Sequence, residues 1–205
     1  LGEGSTSAYA IKKIGELYTL GEIKDIHCIP CSNKVQKLAE SVGLPITTLD
    51  EHPVIDLTID GADEVDPFFH LIKGGGGALL REKIVAEASK REIIIVDEGK
   101  ISVFLGEKWH VPIEVIPFSV RPVMDTLSLL GGLPVLRETE DGGTYITDEN
   151  NYILDCNFGV IEQPKVLAEQ LNGIPGIVEH GLFVYQATDL IIASQDGVEH
   201  KIKEI

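Results

Sequence analysis

Short apolar runs alternate with helix-like segments in the first half of the chain, and this alternation limits the possible folds more than any other feature. Residues 92–97 contain three isoleucines and a valine in succession, which is typical of a strand buried on both faces. Further apolar runs occupy residues 26–30 and 54–60, and helical patterns over residues 32–42 and 78–90 lie between the runs. Strands that alternate with helices predict a parallel sheet, in which ligands bind at the carboxyl ends of the strands.

The pattern changes at residue 109, where the predicted elements follow the order strand, helix, strand, strand, helix, strand. The predicted strands cover residues 111–116, 133–138, 145–155 and 177–183, and the helices cover residues 119–130 and 163–171. That order is the ferredoxin-like split motif, whose helices cover one face of an antiparallel sheet. We therefore predict an α/β fold: a three-layer, parallel-sheet, Rossmann-like domain of residues 1–107 and 184–205, with an inserted α+β ferredoxin-like domain of residues 108–183.

The chain is strongly acidic, with 33 Asp and Glu against 17 Lys and Arg and a formal net charge of −16. A field of that sign repels phosphodiester backbones and anionic lipid surfaces, so we expect no nucleic-acid and no membrane partner. The longest run without a charged residue is the eleven residues 126–136, whereas a bilayer crossing needs roughly 18. An anionic small molecule would therefore need a local group of amides and ammonium groups to bind.

Three cysteines do not form the even set of a disulfide framework, which indicates a reducing compartment. Cys28 and Cys31 have a Cys-x-x-Cys spacing ahead of a predicted helix, so a redox or a zinc role stays open. Zinc would need further ligands, and only Cys156 and scattered histidines remain. We interpret the pair as half-buried cysteines at the end of a strand, and we expect no metal site.

Four carboxylates follow a predicted strand within seven residues, at Asp60, Asp63, Glu64 and Asp66. A calcium loop that starts at Asp60 would need Gly at its sixth position and Glu at its twelfth, but these positions hold Val and Leu. A solvated acidic turn stays an alternative. Because Asp60 ends an apolar strand, we expect it to be partly buried, and carboxylates so placed can accept hydrogen bonds from sugar hydroxyls.

Four glycines at residues 74–77 follow Lys73 and precede a predicted helix that carries Arg81, Glu82 and Lys83. Such a run costs chain entropy, but a backbone without side chains can approach a ligand closely. A flexible connection is the alternative. Glu82 is the best candidate for a general base, because a carboxylate between cations can be tuned for proton transfer. A surface glutamate paired with a neighbouring cation is the competing interpretation.

Four motifs occur in a fixed order along the chain. They are Gly-Glu-Gly-Ser-Thr at residues 2–6, Asp-Gly-Ala-Asp-Glu at 60–64, Lys-Gly-Gly-Gly-Gly-Ala-Leu-Leu-Arg-Glu-Lys at 73–83 and Asp-Glu-Gly-Lys at 97–100. With these motifs the chain closely resembles the type A ribose-5-phosphate isomerases. The resemblance continues through Val-Pro-Ile-Glu-Val-Ile at 111–116 and Gly-Leu-Phe at 181–183, so it covers nearly the whole chain.

The resemblance implies an enzyme that interconverts D-ribose 5-phosphate and D-ribulose 5-phosphate through an enediol, in the non-oxidative pentose phosphate pathway, with no metal and no cofactor. Glu82 is then the base that carries a proton between C2 and C1. Asp60, Asp63 and Lys73 assist ring opening and stabilise the charge on oxygen. The resemblance assigns substrate binding to Gly4, Ser5, Thr6, Gly61, Ala62, Gly74, Gly75, Gly76 and Lys100.

One residue departs from the family's pattern, because Glu3 stands in the glycine turn where the family normally has threonine. An acid beside a phosphate is unfavourable. Glu3 therefore points away from the substrate, or the substrate binds more weakly. A third interpretation is that residues are missing from this sequence, so that two segments of it are joined artificially. We favour the third interpretation, since the family has a helix and a strand ahead of this turn.

Two other classes of function stay open. A sugar-phosphate deaminase or an acyl-carrier transferase could use a glycine loop and a glutamate on a similar sheet, and a non-catalytic sensor could bind a sugar phosphate with the same loops. The resemblance also implies a homodimer or a homotetramer. We expect a cytoplasmic protein and leave a plastid location open.

Overall fold

The computed structural model describes residues 1–203 and divides the chain into two compact units. The first unit consists of Leu1–Gly61, Arg81–Glu98 and the chain from Gln186, and the second consists of Ala62–Leu80 and Gly99–Tyr185. This grouping assigns residues 62–80, 99–107 and 184–185 to the second unit, whereas the sequence analysis assigned them to the first domain. The predicted domain division itself stays a prediction.

The structure contains five α-helices and eleven strands among the described residues. The helices are α1 (Ser5–Thr19), α2 (Asn33–Ser41), α3 (Leu79–Glu87), α4 (Val120–Leu129) and α5 (Pro164–Asn172). The strands are β1 (Thr58–Asp60), β2 (Glu64–Val65), β3 (Leu71–Ile72), β4 (Glu92–Asp97), β5 (Val111–Val115), β6 (Leu133–Leu136), β7 (Tyr152–Asn157), β8 (Ile177–His180), β9 (Leu182–Phe183), β10 (Asp189–Ser194) and β11 (Gly197–Ile202).

The first unit contains a four-stranded sheet in the order β1-β4-β10-β11, in which β1, β4 and β10 are parallel and β11 is antiparallel. The predicted α/β class with a parallel sheet is therefore confirmed. Strand β4 has the predicted bounds, and its Ile94 and Val96 are buried. The apolar run at 26–30 forms only one parallel bridge, from Cys28 to Ile46. It lacks a longer ladder because a proline at its end cannot donate a backbone hydrogen bond.

Both cysteines of the Cys-x-x-Cys motif lie in the core of the first unit. Cys28 and Cys31 are buried, and they pack with apolar side chains that include Ile11 and Val35. Burial raises the pKa of the Cys28 thiol, which disfavours the reactive thiolate. The two cysteines are therefore buried in a core, whereas the sequence analysis expected them to be half-buried at the end of a strand.

The second unit contains an antiparallel sheet in the order β6-β7-β5-β8. This is the strand order of the predicted ferredoxin-like motif. Helices α4 and α5 bury Val123, Leu127, Ala168 and Leu171 in the same core as the apolar side chains of the sheet. The predicted strand at 145–155 was too long, because only β7 is regular and a turn precedes it.

The second unit also contains a sheet that the sequence did not indicate, in the order β2-β3-β9. Each of its strands has two residues, which is too short for an alternating pattern to be visible. Strand β3 leads directly into Lys73 and the glycine run. Among residues 1–203, no helix has the length and apolarity that crossing a bilayer requires.

Candidate active site

Asp60 ends β1 in the first unit and is 1% exposed, so the predicted burial of this carboxylate is present. Its Oδ1 accepts hydrogen bonds from the backbone N–H of Gly61 at 2.7 Å and from the Ser7 hydroxyl at 3.3 Å. Gly2 packs directly against it, because a Cβ at position 2 would lie 1.9 Å from the same oxygen. The glycine turn therefore holds the Asp60 carboxylate in one place at the carboxyl end of a parallel strand.

The glycine turn leads into α1. Its N-cap is Gly4, with φ 126°, and Ser5 and Thr6 are the first helical residues. A positive φ of this size favours glycine. Gly4 supplies no side-chain cap. The backbone N–H groups of the first turn are therefore suited to an anionic oxygen.

Glu3, the residue that departs from the family's pattern, has its side chain almost fully buried. Its Oε1 accepts a hydrogen bond from Nζ of Lys34 at 3.2 Å. This ion pair reduces the like-charge repulsion that an acid in the turn would produce. The Lys34 side chain is 78% exposed, so solvent weakens the compensation.

Glu82 lies in the first turn of α3 and is 5% exposed. The competing interpretation of Glu82 as a surface glutamate is therefore wrong. Lys83 is buried as well, with 9% exposure. A helix that buries two adjacent charged side chains is unusual, because charged groups are rarely buried without a structural or chemical role.

Asp63, in the second unit, contacts the glycine run directly. Its Oδ2 accepts a hydrogen bond from the backbone N–H of Gly75 at 2.7 Å. Burial raises the pKa of the Asp63 carboxyl, while the Gly75 N–H and the positive charges of Lys73, Lys100 and Arg137 oppose this rise. The net upward shift makes Asp63 suited to exchanging a proton with a nearby oxygen.

Lys73 follows β3 and is 2% exposed. Its backbone N–H donates to the carbonyl oxygen of Gly181 at 2.9 Å, and its Nζ lies 5.5 Å from the centre of the Phe183 ring. Gly181 permits this close approach, because a Cβ there would lie 2.2 Å from the Lys73 carbonyl oxygen. Lys100 ends a short 3-10 turn, and its Nζ lies 5.1 Å from the centre of the Trp109 ring.

Residues 73–77, which we call the glycine loop, form a tight turn. The backbone N–H of Gly77 donates to the carbonyl oxygen of Gly74 at 2.9 Å, and these two residues have φ 88° and 99°. Gly75 lies so close to Asp63 that a Cβ would be 2.8 Å from the carboxylate. These contacts distinguish the loop from a flexible connection.

The structure also places three residues at the glycine loop that the sequence analysis did not select. Arg137 donates from Nη1 to the carbonyl oxygens of Gly74 and Gly75, and the Tyr145 hydroxyl donates to the carbonyl oxygen of Gly76. Asp155 accepts a hydrogen bond from Nε of Arg137 at 2.8 Å. Arg137 and Asp155 have one sequence signal, a charged side chain near or at the end of a predicted strand, and Tyr145 only begins a predicted strand. Neither signal identifies the loop as the partner.

The other two clustered carboxylates, Glu64 and Asp66, accept hydrogen bonds from nearby turns at both of their oxygens. Glu64 accepts hydrogen bonds from the backbone N–H groups of Gly106, Lys108 and Trp109. Asp66 accepts hydrogen bonds from the backbone N–H groups of Phe68 and His70 and from the His70 imidazole, in the turn that follows it. Of the acidic run, Asp60 and Asp63 therefore stay as candidates for contact with a sugar. Within residues 1–203, no three His, Cys, Asp or Glu side chains are grouped so that they could hold a metal ion.

The α/β fold, the buried carboxylates and lysine, and the amide-rich loop define the class of protein, an enzyme that performs acid–base chemistry on a small anionic molecule. The family model for ribose 5-phosphate isomerase A (phosphoriboisomerase A) matches residues 27–197. The chain therefore belongs to the ribose 5-phosphate isomerase A family, as its motifs indicated.

Curated proteins and solved structures agree with this assignment. Ribose-5-phosphate isomerase A of Chloroflexus aurantiacus is 52% identical over 200 residues, covering 98% of this chain and 84% of the relative. A probable ribose-5-phosphate isomerase 2 of Arabidopsis thaliana is 44% identical, covering 99% of this chain and 79% of the relative. The structure of ribose 5-phosphate isomerase A from Methanocaldococcus jannaschii is similar with TM-score 0.94 and 38% identity, covering 99% of this chain and 89% of that one. A D-ribose-5-phosphate isomerase in complex with phospho-erythronic acid has TM-score 0.96 and 41% identity, with 98% and 89% coverage.

Proposed function

We propose that this chain interconverts D-ribose 5-phosphate and D-ribulose 5-phosphate through an enediol, the aldose–ketose isomerisation of the non-oxidative pentose phosphate pathway. Membership of the ribose 5-phosphate isomerase A family supports this activity. No observation favours a deaminase, a transferase or a non-catalytic sensor. The roles of individual residues are our proposal, and they combine the motifs with the geometry of each unit.

Glu82 acts as the base. Its carboxylate removes the proton from C2 of the open-chain aldose, the C–H electron pair forms the C1–C2 double bond, and the former carbonyl oxygen O1 takes a proton to give the enediol. The hydroxyl on C2 then loses its proton as the C2 carbonyl forms, and C1 recovers a proton from Glu82. The burial of Glu82 is the observation that carries this assignment, because a base sheltered from water can return the proton before bulk solvent exchanges it.

Asp60, Asp63 and Lys73 act on the oxygen atoms of the sugar, by proton transfer and by stabilisation of charge. Ring opening needs a group that gives a proton to the ring oxygen and one that takes a proton from the anomeric hydroxyl. The raised pKa of the Asp63 carboxyl suits it to the first task, and Asp60 is assigned the second. The buried ammonium of Lys73 stabilises the negative charge that develops on O1 and O2 as the enediol forms.

Backbone groups bind the rest of the substrate. We assign the amides of Gly74 and Gly76 to the sugar oxygens, and Gly75 lines the same site while its N–H holds Asp63. The turn of Gly4, Ser5 and Thr6 at the start of α1 is assigned to an anionic group, because helix N-termini bind phosphates. Gly61 and Ala62 connect the two acids. Lys100 supplies a further positive charge, which a chain of net charge −16 needs for a phosphorylated substrate.

Replacement of the base tests the assignment. We expect Glu82→Gln to lower turnover of ribose 5-phosphate by roughly 10²- to 10⁴-fold, because the amide cannot accept the C2 proton. The same variant should abolish transfer of a deuterium label from C2 of ribose 5-phosphate to C1 of the product, measured by proton NMR. Glu87→Gln, an exposed position on the same helix, is the matched control and should keep the parent rate. Near-parental turnover of Glu82→Gln would remove this residue from the mechanism.

We further propose that the chain forms a homodimer or a homotetramer. The second unit exposes Leu129, Leu133 and Val135, with 88%, 69% and 63% of their surfaces accessible, and apolar side chains exposed to this degree favour association. Light scattering at micromolar concentration tests the proposal, and a single species of 22.3 kDa would contradict it.

We propose a cytoplasmic location, with the plastid as the alternative compartment. The chain has three cysteines, which do not make the even set of a disulfide framework, and this suits a reducing environment. Fractionation of cells that express the full gene tests the location, and recovery from a secreted fraction would contradict it.

A further inference from the structure

A single arginine of the second unit holds two consecutive peptide groups of the glycine loop. Nη1 of Arg137 lies 3.0 Å from the carbonyl oxygen of Gly74 and 3.2 Å from that of Gly75. We propose that Arg137 is a positioning residue for the isomerisation, which acts by aiming the backbone N–H groups of Gly75 and Gly76 away from itself and toward Asp63 and the substrate oxygens. This inference rests on the proposed role of the glycine loop in binding the sugar.

The geometry of the peptide group carries the first step. In a trans peptide the carbonyl and the N–H point in opposite directions and lie in one plane. When Arg137 holds the carbonyl of Gly74, the N–H of Gly75 must point away from the guanidinium, and Asp63 accepts that N–H at 2.7 Å. By the same geometry, holding the carbonyl of Gly75 turns the N–H of Gly76 away from Arg137.

The second step is that the peptide groups of the glycine loop need contacts that fix their orientation. Without side chains, residues 74–77 have access to many backbone conformations, so the orientation of their amides must come from contacts. The Tyr145 hydroxyl adds one contact, a hydrogen bond to the carbonyl oxygen of Gly76 at 3.0 Å. The ring of Tyr145 also lies 5.6 Å from the centre of the Arg137 guanidinium. Donors that stabilise charge in a reaction act best when they are fixed beforehand.

The third step explains why this residue is an arginine. Nε and Nη2 of Arg137 donate to the two carboxylate oxygens of Asp155, so Nη1 is directed at the loop. The Arg137 side chain is only 13% exposed, which limits screening of the pair by solvent. One planar guanidinium thus makes contacts in two directions, whereas a lysine ammonium is a point charge without this fixed geometry.

Arg137→Lys tests the inference, because it keeps the positive charge near Asp63 and removes the planar group. We expect kcat for ribose 5-phosphate to fall by about 10- to 100-fold, with KM changed by less than about threefold, since fixed donors contribute most in the transition state. The affinity for phospho-erythronic acid, whose carboxylate bears negative charge as the enediolate does, should fall in proportion to kcat. Arg121→Lys, at an exposed arginine paired with Asp125 on α4, is the matched control and should keep the parent values.

Every result of this experiment either supports the inference or overturns it. A folded Arg137→Lys variant with kcat within about twofold of the parent would overturn the inference, as would a loss of thermal stability without loss of kcat per folded molecule. If that variant does not fold, Asp155→Asn replaces it, because it loosens the arginine and preserves its charge. A several-fold fall in kcat supports the inference, and an unchanged kcat overturns it. The parent is assayed first, since an inactive parent would refute the proposed function, whereas an active parent with an equally active Arg137→Lys variant refutes only this inference.

Discussion

At the scale of single residues, close approaches between backbone and side chains determine where the acidic groups lie. Gly75 and Asp63 are the clearest pair, because the Gly75 N–H donates to one carboxylate oxygen and a Cβ would lie 2.8 Å from the other. Real Cβ atoms essentially never come this close to another heavy atom. Position 75 therefore needs a glycine for a steric reason, which is separate from the flexibility of the chain.

Gly75→Ala should displace Asp63 and lower kcat/KM for ribose 5-phosphate by about 10²-fold, since misplacement of a catalytic group by about 1 Å costs that much. Steady-state kinetics measure the effect. Gly173→Ala is the matched control, because Gly173 caps α5 with φ −84° and an added Cβ would lie 3.4 Å from its nearest neighbour. Parental kinetics of Gly75→Ala would show that the contact with Asp63 has no part in the reaction.

At the scale of elements, the antiparallel sheet of the second unit contains a buried acid that the proposed mechanism does not use. Glu114 lies in the middle of β5 and is 1% exposed. The Thr147 hydroxyl and the Asn151 amide each donate to its Oε1 at 2.9 Å. Burial raises the pKa of the Glu114 carboxyl despite these two donors, and the nearby carboxylates of Glu149 and Glu179 raise it further.

This raised pKa predicts how stability depends on pH. The folded state binds the Glu114 proton more strongly than the unfolded state does. The stabilisation from this proton is therefore fully present below the ordinary glutamate pKa of about 4.3, and it is lost as the pH rises through the pKa of Glu114 in the folded state. Glu114→Gln keeps both hydrogen bonds without the charge. We expect it to raise the free energy of unfolding at neutral pH by about 1 kcal/mol, or Tm by ~2–4 °C, and to flatten the pH dependence.

Thermal unfolding between pH 4 and about pH 8 measures this effect. Glu169→Gln, at an exposed position on α5, is the control and should change neither Tm nor its slope with pH. A Glu114→Gln variant that is less stable than the parent at neutral pH would contradict the prediction, because it would mean that the carboxylate itself stabilises the sheet.

At the scale of the whole molecule, the proposed mechanism uses only carboxylates, lysines and amides. The described residues contain no group of three side chains that suits a metal ion. We therefore expect isomerase activity to persist in excess chelator, which coupled assays with and without EDTA measure. Activity that depends strictly on an added divalent ion, and that returns when the ion is restored, would contradict this expectation.

Part of the candidate site could be read from the sequence, because its signals are local. The acidic run at 60–66, the glycine run and Glu82 all lie within 25 residues of one another. The burial of Asp60 followed from its place at the end of an apolar strand. The partners of the glycine loop were not predictable, since Arg137 and Gly74 are 63 residues apart and meet only when the chain has folded.

The sequence by itself determined the α/β class, the position of β4 and the order of elements in the split motif, because hydrophobic periodicity acts over a few residues and reports which faces will be buried. Only the tertiary structure decided that Glu64 and Asp66 accept hydrogen bonds from backbone N–H groups, that Glu82 is buried, and that Arg137 donates to the carbonyl oxygens of the glycine loop. Those outcomes depend on which surfaces meet across long stretches of chain, and no local pattern encodes that pairing.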